Sequence, residues 1–320
     1  MKSIFKISKH IIKAFVVVVF LLMIISYINH KIKLTKEDKL FVPNGSMIEL
    51  NGHKIHVYSE GKGDIPLVFM SGGGTSSPVL DFKSLYSLLS DDYKIVVVEK
   101  AGYGFSDVVD TNRDIDTVLN ETRETLAKAK IKGPFILFPH SMSGIEALYW
   151  AQKYPGEIKA IVGLDMAVPD AYNEYKINIP MIKLGNFAAK LGLTRLIPGL
   201  SESDAIKYGT LTDDEKVLYK TIYYRRTATD TMIAEAKEIK SSAIKVSKNT
   251  FPNIPILAFV SKGQGTGWNE DEWKSFSKNT IGNLEKGQLI YLDCSHYIHD
   301  IEYERIAKES KEFIENLNNK

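Results

Sequence analysis

One short stretch near the middle of the chain strongly restricts the possible fold. The apolar run Phe135–Phe138 is followed at once by residues 139–144, PHSMSG, and then by a helix-like segment. A serine at a tight strand-to-helix corner needs small neighbours two residues away. Ser141 has Ser143 at that distance, whereas Ser143 has the bulky Ile145. We therefore interpret Ser141 as an exposed hydroxyl at such a corner, with an ordinary helix-capping serine as the alternative.

Apolar runs alternate with helical stretches along the rest of the chain. Their Val, Ile, Leu and Phe content is typical of strands buried on both faces of a parallel sheet. The strand candidates are Leu67–Met70, Lys94–Val98, Phe135–Phe138, Ala160–Leu164, Ile256–Val260 and Gln288–Leu292. Helices are predicted at Ile115–Lys130, Gly144–Lys153 and Ile301–Leu317. Asn51-Gly52 predicts a hairpin turn between residues 47–50 and 53–58, and the whole pattern indicates the α/β class.

One long interval between two strand candidates contains no convincing strand. It covers residues 168–250 and includes helix-like segments at Asp213–Arg226 and Asp230–Val246. Open parallel sheets bind ligands at the carboxyl edge of their strands, so we expect the insertion to form a helical cap over that edge. The predicted domains are a core in two parts, residues 46–167 and 251–320, with the cap between them.

The first forty residues are far more apolar than the rest. Residues 14–28 are uninterrupted by charge, and a helix over residues 11–28 would be about 27 Å long, enough to span a bilayer core. A cleaved signal peptide would need a small-residue cleavage site, and residues 26–30, SYINH, offer none. We interpret residues 1–45 as a transmembrane anchor and linker, with residues 30–45 as a polar spacer.

Charge gives limited information about orientation and partners. Four lysines precede the apolar run and four follow it, so the bias across the membrane is nearly balanced. A very short N-terminal tail usually stays inside, so in a single-pass protein of the cell membrane we expect the catalytic part to face outward. A net charge of +2 gives no reason to expect nucleic acid, and Cys294 as the only cysteine excludes an intramolecular disulfide. The oligomeric state is not predicted.

Three motifs carry a resemblance to a known family. The segment around Ser141 resembles the G-x-S-x-G nucleophile elbow of the α/β-hydrolase superfamily, with Pro139 in place of the first glycine. Residues 70–75, MSGGGT, are similar to its HGGG-type oxyanion loop, with serine where histidine is common. Residues 99–106, EKAGYGFS, are similar to its D-x-x-G-x-G-x-S loop, where a bracing role is expected for Glu99. Together with the final strand candidate and the residues that follow it, these motifs extend the resemblance to nearly everything after residue 45.

The resemblance implies an α/β-hydrolase fold and a Ser-His-Asp site. Ser141 is the implied nucleophile, and the superfamily places its histidine after the final strand, where His296 stands. His299 is the second choice for this base. The implied oxyanion-hole donors are the backbone amides of Gly73 and Met142.

The acidic residue departs from the commonest arrangement of the superfamily. After the strand candidate Ile256–Val260 there is no carboxylate until Glu270. Asp165 instead ends the preceding strand candidate, which is similar to the arrangement in haloalkane dehalogenases. An aspartate there is costly to bury unless it is paired, and His296 is a suitable partner. We expect Asp165 to be the acid, with Glu270 and Asp271 as the alternatives.

These residues together predict a membrane-anchored serine hydrolase with its catalytic domain outside the cytoplasm. The expected substrates are small-molecule esters, thioesters or small amides, hydrolysed through an acyl-enzyme without a cofactor or metal. Serine at the elbow argues against dehalogenases and epoxide hydrolases, which use aspartate there. The alternative is a catalytically silent protein of the same fold that binds a ligand or partner at the cell surface, and Pro139, Ser71 and the displaced acid favour it mildly.

Overall fold

An eight-stranded sheet lies at the centre of the computed structural model, which describes residues 2–318 and the side chains of residues 10–317. Its strand order is β1-β2-β4-β3-β5-β6-β7-β8. The strands are β1 (Ser46–Leu50), β2 (His53–Gly61), β3 (Pro66–Met70), β4 (Lys94–Glu99), β5 (Phe135–Pro139), β6 (Ile158–Leu164), β7 (Ile256–Val260) and β8 (Gly287–Tyr291). Strands β3 to β8 pair in parallel, and β2 is antiparallel to β1 and β4.

Helices cover both faces of this sheet and fill the interval between β6 and β7. They are α1 (Lys2–Glu37), α2 (Pro78–Asp81), α3 (Lys83–Tyr86), α4 (Ile115–Lys128), α5 (Ser143–Lys153), α6 (Ile179–Lys190), α7 (Asp204–Lys207), α8 (Asp213–Arg226), α9 (Asp230–Ser247), α10 (Glu270–Thr280), α11 (Ile298–Ile301) and α12 (Tyr303–Asn318). We call residues 168–250, which contain α6 to α9, the helical insertion.

The core has two halves because the sheet is buried on both faces. Val68 and Met70 of β3 belong to the apolar cluster on one face, together with residues of α4, α5 and α9. Leu67 and Phe69 belong to the cluster on the other face, with residues of α2, α3 and α12. Successive side chains of a strand point to opposite faces, so a run that is apolar throughout serves both clusters.

The predicted α/β pattern is confirmed. Each strand candidate lies within an observed strand or extends beyond it by one residue. The short helices α2 and α3 and the helix α10 were not predicted. Helix α10 has the polar sequence EDEWKSFSKNT, in which only Trp273 and Ser277 are buried, so apolar periodicity gives little indication of it. The side chain of Asn269 caps its first turn by accepting from the amide of Glu272 at 2.9 Å.

Helix α1 is longer than the apolar run that predicts it. It continues to Glu37, so residues 30–37 of the predicted polar spacer are helical. These residues are good helix formers, and an ion pair between Glu37 and Arg195 holds them against the helical insertion. Most side chains of residues 11–25 are exposed. The segment His10–Glu37 is long and apolar enough to cross a membrane.

The loop after β4 is braced by the fully buried carboxylate of Glu99. Its Oε2 accepts from the amide of Phe105 at 2.7 Å and lies 2.9 Å from Nδ1 of His56. Its Oε1 accepts from the amide of Val79 at 3.3 Å. Gly104 has a φ of +49°, and a Cβ on it would lie 1.9 Å from the Glu99 carboxyl carbon. Only glycine fits there, and these contacts agree with the bracing role expected for Glu99.

We predict that Gly104→Ala destabilises the fold, because the added methyl group overlaps the Glu99 carboxyl and the backbone is left-handed. The free energy of unfolding should fall by about 2–4 kcal/mol, which lowers Tm by roughly 5–10 °C. Gly156→Ala is the matched control, since a Cβ there meets nothing within 4 Å. Thermal melting of the detergent-solubilised full chain measures both variants, and equal Tm values would contradict this account of the loop.

Candidate active site

A cavity of about 500 Å³ lies between the carboxyl edge of the sheet and the helical insertion. The loops that follow β3, β5 and β8 form its floor, and α6, α8 and α9 contribute to its roof. The predicted site residues on its wall are Gly73, Ser141, Met142 and His296. The fold therefore places four of the five predicted site residues around one space, and the fifth, Asp165, lies behind His296.

Ser141 occupies a strained corner between β5 and α5. Its φ is +55°, a left-handed value that is uncommon outside glycine. A Cβ on Gly72 would lie 2.8 Å from the Cβ of Ser141, and one on Gly144 would lie 2.3 Å from the carbonyl oxygen of Ala167. The Ala167 amide in turn donates to the Ser141 carbonyl at 2.8 Å. The corner thus requires glycine on both sides and is held in place by the chain that follows β6.

Asp165 is fully buried at the end of β6, and hydrogen bonds surround its carboxylate. Oδ2 lies 2.6 Å from Nδ1 of His296 and accepts from the Ser261 hydroxyl at 2.6 Å. Oδ1 accepts from the Ser261 amide at 2.7 Å and from Trp273 Nε1 at 2.8 Å. A carboxylate that accepts from Nδ1 fixes the tautomer of the ring and leaves Nε2 for chemistry.

Ser261 and Trp273 were not predicted as parts of the site. Ser261 directly follows β7, the position where the superfamily most often carries its acid, so that position now supports a carboxylate from the neighbouring strand. The polar residue directly after the β7 strand candidate was the sequence signal that could have indicated Ser261. Trp273 lies on the polar helix α10, and no sequence pattern indicated its contact with Asp165.

The other carboxylates considered from the sequence lie elsewhere. Glu270 and Asp271 are in the first turn of α10, where Glu270 pairs with Lys274 and Asp271 is exposed. Neither carboxylate borders the cavity. Asp165 already occupies the Nδ1 side of His296.

His299, the second choice for the base, is paired away from the cavity. Its Nε2 lies 3.0 Å from Oδ2 of Asp81, and both side chains are fully buried. The neighbouring Asp300 has two buried carboxyl oxygens without a hydrogen-bond partner among the described residues. Burial and the charge of Asp81 raise the pKa of Asp300 well above its usual value. This polar cluster supports the loop after β8 from behind.

His140 precedes the corner serine but packs behind His296. Its Nε2 donates to the His296 carbonyl at 3.2 Å, and the two ring centroids are 4.6 Å apart. Burial lowers the pKa of His140 well below its usual value, and the charges of His296 and His299 add to this effect. His140 is therefore a neutral donor that positions the backbone of His296.

Two backbone amides at the cavity are free to bind an anion. Those of Gly73 and Met142 donate no hydrogen bond to any part of the chain between residues 2 and 318. Met142 stands at the amino end of α5, where the helix dipole is positive. A Cβ on Gly73 would lie 3.2 Å from the Met142 side chain, so the two residues are neighbours. Paired donors of this kind can stabilise a developing oxyanion.

Ser141 and His296 are not hydrogen-bonded to each other among the side chains that the structure describes. Both line the cavity, and Ser141 is half-buried. Catalytic hydrogen bonds are often long before substrate binds and shorten in the complex, so this geometry leaves a transfer of the Ser141 proton to His296 open.

Comparisons with known proteins identify the family. A family model described as the α/β hydrolase fold matches residues 65–192. The uncharacterized protein YbdG of Bacillus subtilis is 42% identical over 230 residues, which are 71% of either chain. The cis-3-alkyl-4-alkyloxetan-2-one decarboxylase of Shewanella oneidensis is 30% identical over 131 residues, 40% of either chain.

A solved structure extends the similarity to most of the fold. A thermophilic esterase from Thermogutta terrifontis superposes with a TM-score of 0.60 at 15% identity, covering 85% of this chain and 97% of the esterase. At this identity the likeness concerns the fold. The parallel sheet, the family match and the extended similarity to YbdG agree, and the chain belongs to the α/β-hydrolase fold family.

Proposed function

We propose that the protein is a serine hydrolase in which Ser141, His296 and Asp165 act together on an acyl substrate. The observation that carries the proposal is the 2.6 Å contact between His296 Nδ1 and the buried Asp165 carboxylate, on the wall of the cavity that holds Ser141. An imidazole oriented in this way is suited to accept a proton through Nε2 from a hydroxyl on its cavity side.

The proposed reaction has two steps. Ser141 Oγ attacks the substrate carbonyl while His296 Nε2 takes its proton, and the amides of Gly73 and Met142 donate to the oxyanion. Each such donor is typically worth about 3–4 kcal/mol of transition-state stabilisation. His296 then protonates the leaving group, and a water molecule activated in the same way releases the acid from the acyl-enzyme. Asp165 holds the tautomer and stabilises the imidazolium throughout.

The cavity lining favours uncharged substrates with an apolar acyl group. Among the described residues, no Asp, Glu, Lys or Arg side chain borders the cavity. Its roof is rich in apolar and aromatic side chains, namely Tyr172, Tyr175, Ile177, Ile182, Met232, Ile239 and Trp268. Esters and thioesters, with small amides as the slower class, fit this environment better than a substrate whose free amine needs an acidic partner.

We also propose that α1 is a single-pass anchor in the cell membrane, with the catalytic domain outside the cytoplasm. The exposure of its apolar side chains supports this, because a helix that is apolar all round is stable in lipid but unfavourable in water. Four lysines lie on each side of the apolar run, so the charge balance does not set the orientation.

Ser141→Ala should abolish covalent labelling of the full chain in isolated membranes by a fluorophosphonate probe, because the variant lacks the attacking oxygen. Ser143→Ala is the matched control and should retain labelling. The Ser143 hydroxyl is buried and donates to the carbonyls of Met70 and His140, at 2.7 and 2.8 Å. Labelling that survives in Ser141→Ala would reject the nucleophile. Lack of labelling in the natural sequence would favour the catalytically silent alternative.

Asp165→Asn should lower kcat for a short-chain aryl ester by about 10³–10⁴-fold, because an amide can stabilise the wrong tautomer of His296. Glu270→Gln serves as the control, since Glu270 pairs with Lys274 at the start of α10, and should leave kcat within about two-fold of the natural chain. Initial rates on purified full-length variants measure both. A loss of rate in Glu270→Gln with none in Asp165→Asn would move the acid to α10.

The anchor should resist alkaline carbonate extraction, and the full chain should stay in the membrane pellet. A membrane-impermeant maleimide should label Leu88→Cys equally in intact and lysed cells, in a Cys294→Ser background that removes the other thiol. Leu88 is exposed in the loop that leads into β4. Release into the supernatant would reject the anchor, and labelling only after lysis would reverse the orientation.

A further inference from the structure

One face of the helical insertion carries large, solvent-exposed apolar side chains. We call it the outer patch, and its members are Met181, Leu184, Phe187, Leu196, Ile197 and Leu200. The first three lie on α6 three residues apart, so they share one side of the helix. The others follow in and after the turn Leu193–Leu196, which packs on α6. Exposed apolar surface of this extent marks an interaction site.

The inner side of α6 faces the cavity. Ile182 is part of the cavity lining. Asn186 is buried, and its amide nitrogen donates to the Ala228 carbonyl at 2.6 Å. Helix α6 therefore lies between the cavity and the outer patch, and the patch residues do not belong to the proposed site.

The end of α6 is docked on α1 at the last turns of the apolar run. The Ser26 hydroxyl donates to the Leu191 carbonyl at 2.9 Å. Gly192, with a φ of +74°, approaches His30 so closely that a Cβ would lie 2.4 Å from the His30 Cβ. Arg195 Nε donates to His30 Nδ1 at 3.0 Å. Ser26 and His30 are both buried by this contact.

Charged contacts continue the docking towards the end of α1. Arg195 makes two bonds to the Glu37 carboxylate, at 2.7 and 2.8 Å. Arg225 donates to the Leu34 carbonyl at 2.6 Å and pairs with Asp38 at 3.0 Å. The insertion is thus fixed to α1 from residue 26 to residue 37, about 17 Å at the helical rise, and to Asp38 directly after the helix. The distance of the insertion from a membrane therefore depends on how deeply α1 is inserted.

The apolar run of α1 determines how deeply this helix is inserted in a membrane. If residues 11–28 span the hydrocarbon core, Ser26 lies about 3 Å inside its edge and His30 about 3 Å outside it. Leu191 and Gly192, which touch these residues, are then held at the boundary between acyl chains and headgroups. In the sequence, three residues of the outer patch precede Leu191 and Gly192, and the other three follow them.

The charges next to the patch are those that a bilayer surface attracts. Exposed lysines follow the apolar run and also lie on α6, at Lys31, Lys33, Lys36, Lys39 and Lys183. Lys190, at the end of α6, pairs with Asp230. Basic residues near a bilayer surface are attracted to anionic headgroups. Tyr27 is exposed on α1 at the same level, as aromatic residues at membrane interfaces often are.

We propose that the outer patch seats on the surface of the lipid bilayer that α1 enters, so that α6 separates the membrane from the cavity. The patch side chains enter the boundary between headgroups and acyl chains, as those of interfacial helices do. The inference rests on the proposed anchor and on none of the catalytic steps. It implies that the thickness of one helix separates the cavity from the membrane surface.

The test uses the full chain in nanodiscs that contain anionic phospholipid. Single cysteines replace Phe187 and Leu196 of the patch, Leu21 within α1, and Leu88 before β4, each in the Cys294→Ser background. Each carries an environment-sensitive fluorophore, and lipids with a nitroxide near the headgroup or deep in the acyl chain act as quenchers. Leu88 is the matched control, because it is apolar and exposed but belongs to the amino edge of the sheet.

We expect the shallow nitroxide to quench the probes at Phe187 and Leu196, the deep nitroxide to quench the probe at Leu21, and neither to quench Leu88. Quenching at Leu21 without quenching at the patch would overturn the proposal and indicate a protein occupant, such as a second copy of the chain. Absence of quenching at Leu21 would reject the anchor and the seating together. Quenching at Leu88 equal to that at the patch would overturn a specific seating. Fluorophosphonate labelling of Ser141 is independent of all these outcomes.

Discussion

The buried carboxylate of Asp165 is the constraint on which the arrangement of this site depends. It accepts four hydrogen bonds, from His296 after β8, from Ser261 after β7 and from Trp273 on α10. An unpaired charge at that depth would cost several kcal/mol, so these elements have to converge for the fold to tolerate it. Their convergence also gives the imidazole of His296 a single orientation.

The same strand end fixes the corner that carries the serine. Two residues after Asp165, the Ala167 amide donates to the carbonyl of Ser141, and Gly144 is the residue that lets the two segments approach. The left-handed backbone of Ser141 is therefore held by packing, in keeping with strain stored at functional sites. The segment that follows β6 therefore positions both the Asp165 carboxylate and the corner that carries the Ser141 hydroxyl. That link is a physical reason for an aspartate directly after β6 in this chain.

The sheet was predictable because its strands are apolar on both faces, whereas contacts that join distant polar residues were not. The motifs around Ser141 and Gly73 and the aspartate after β6 indicated the candidate residues, whose catalytic roles stay predictions, as do the domain boundaries. Trp273 lies on a polar helix without apolar periodicity. The extension of α1 past the apolar run involves Arg195, 158 positions away from Glu37, and local patterns cannot register such a pair.

A structure of the full chain after reaction with a phosphonate would show whether these residues act together, because the adduct imitates the tetrahedral intermediate. We expect phosphorus bonded to Ser141 Oγ. We also expect a phosphoryl oxygen about 2.7–3.1 Å from the amides of Gly73 and Met142, with His296 Nε2 facing the adduct and Asp165 still on Nδ1. Phosphorus on another side chain, or an oxygen directed away from both amides, would contradict it.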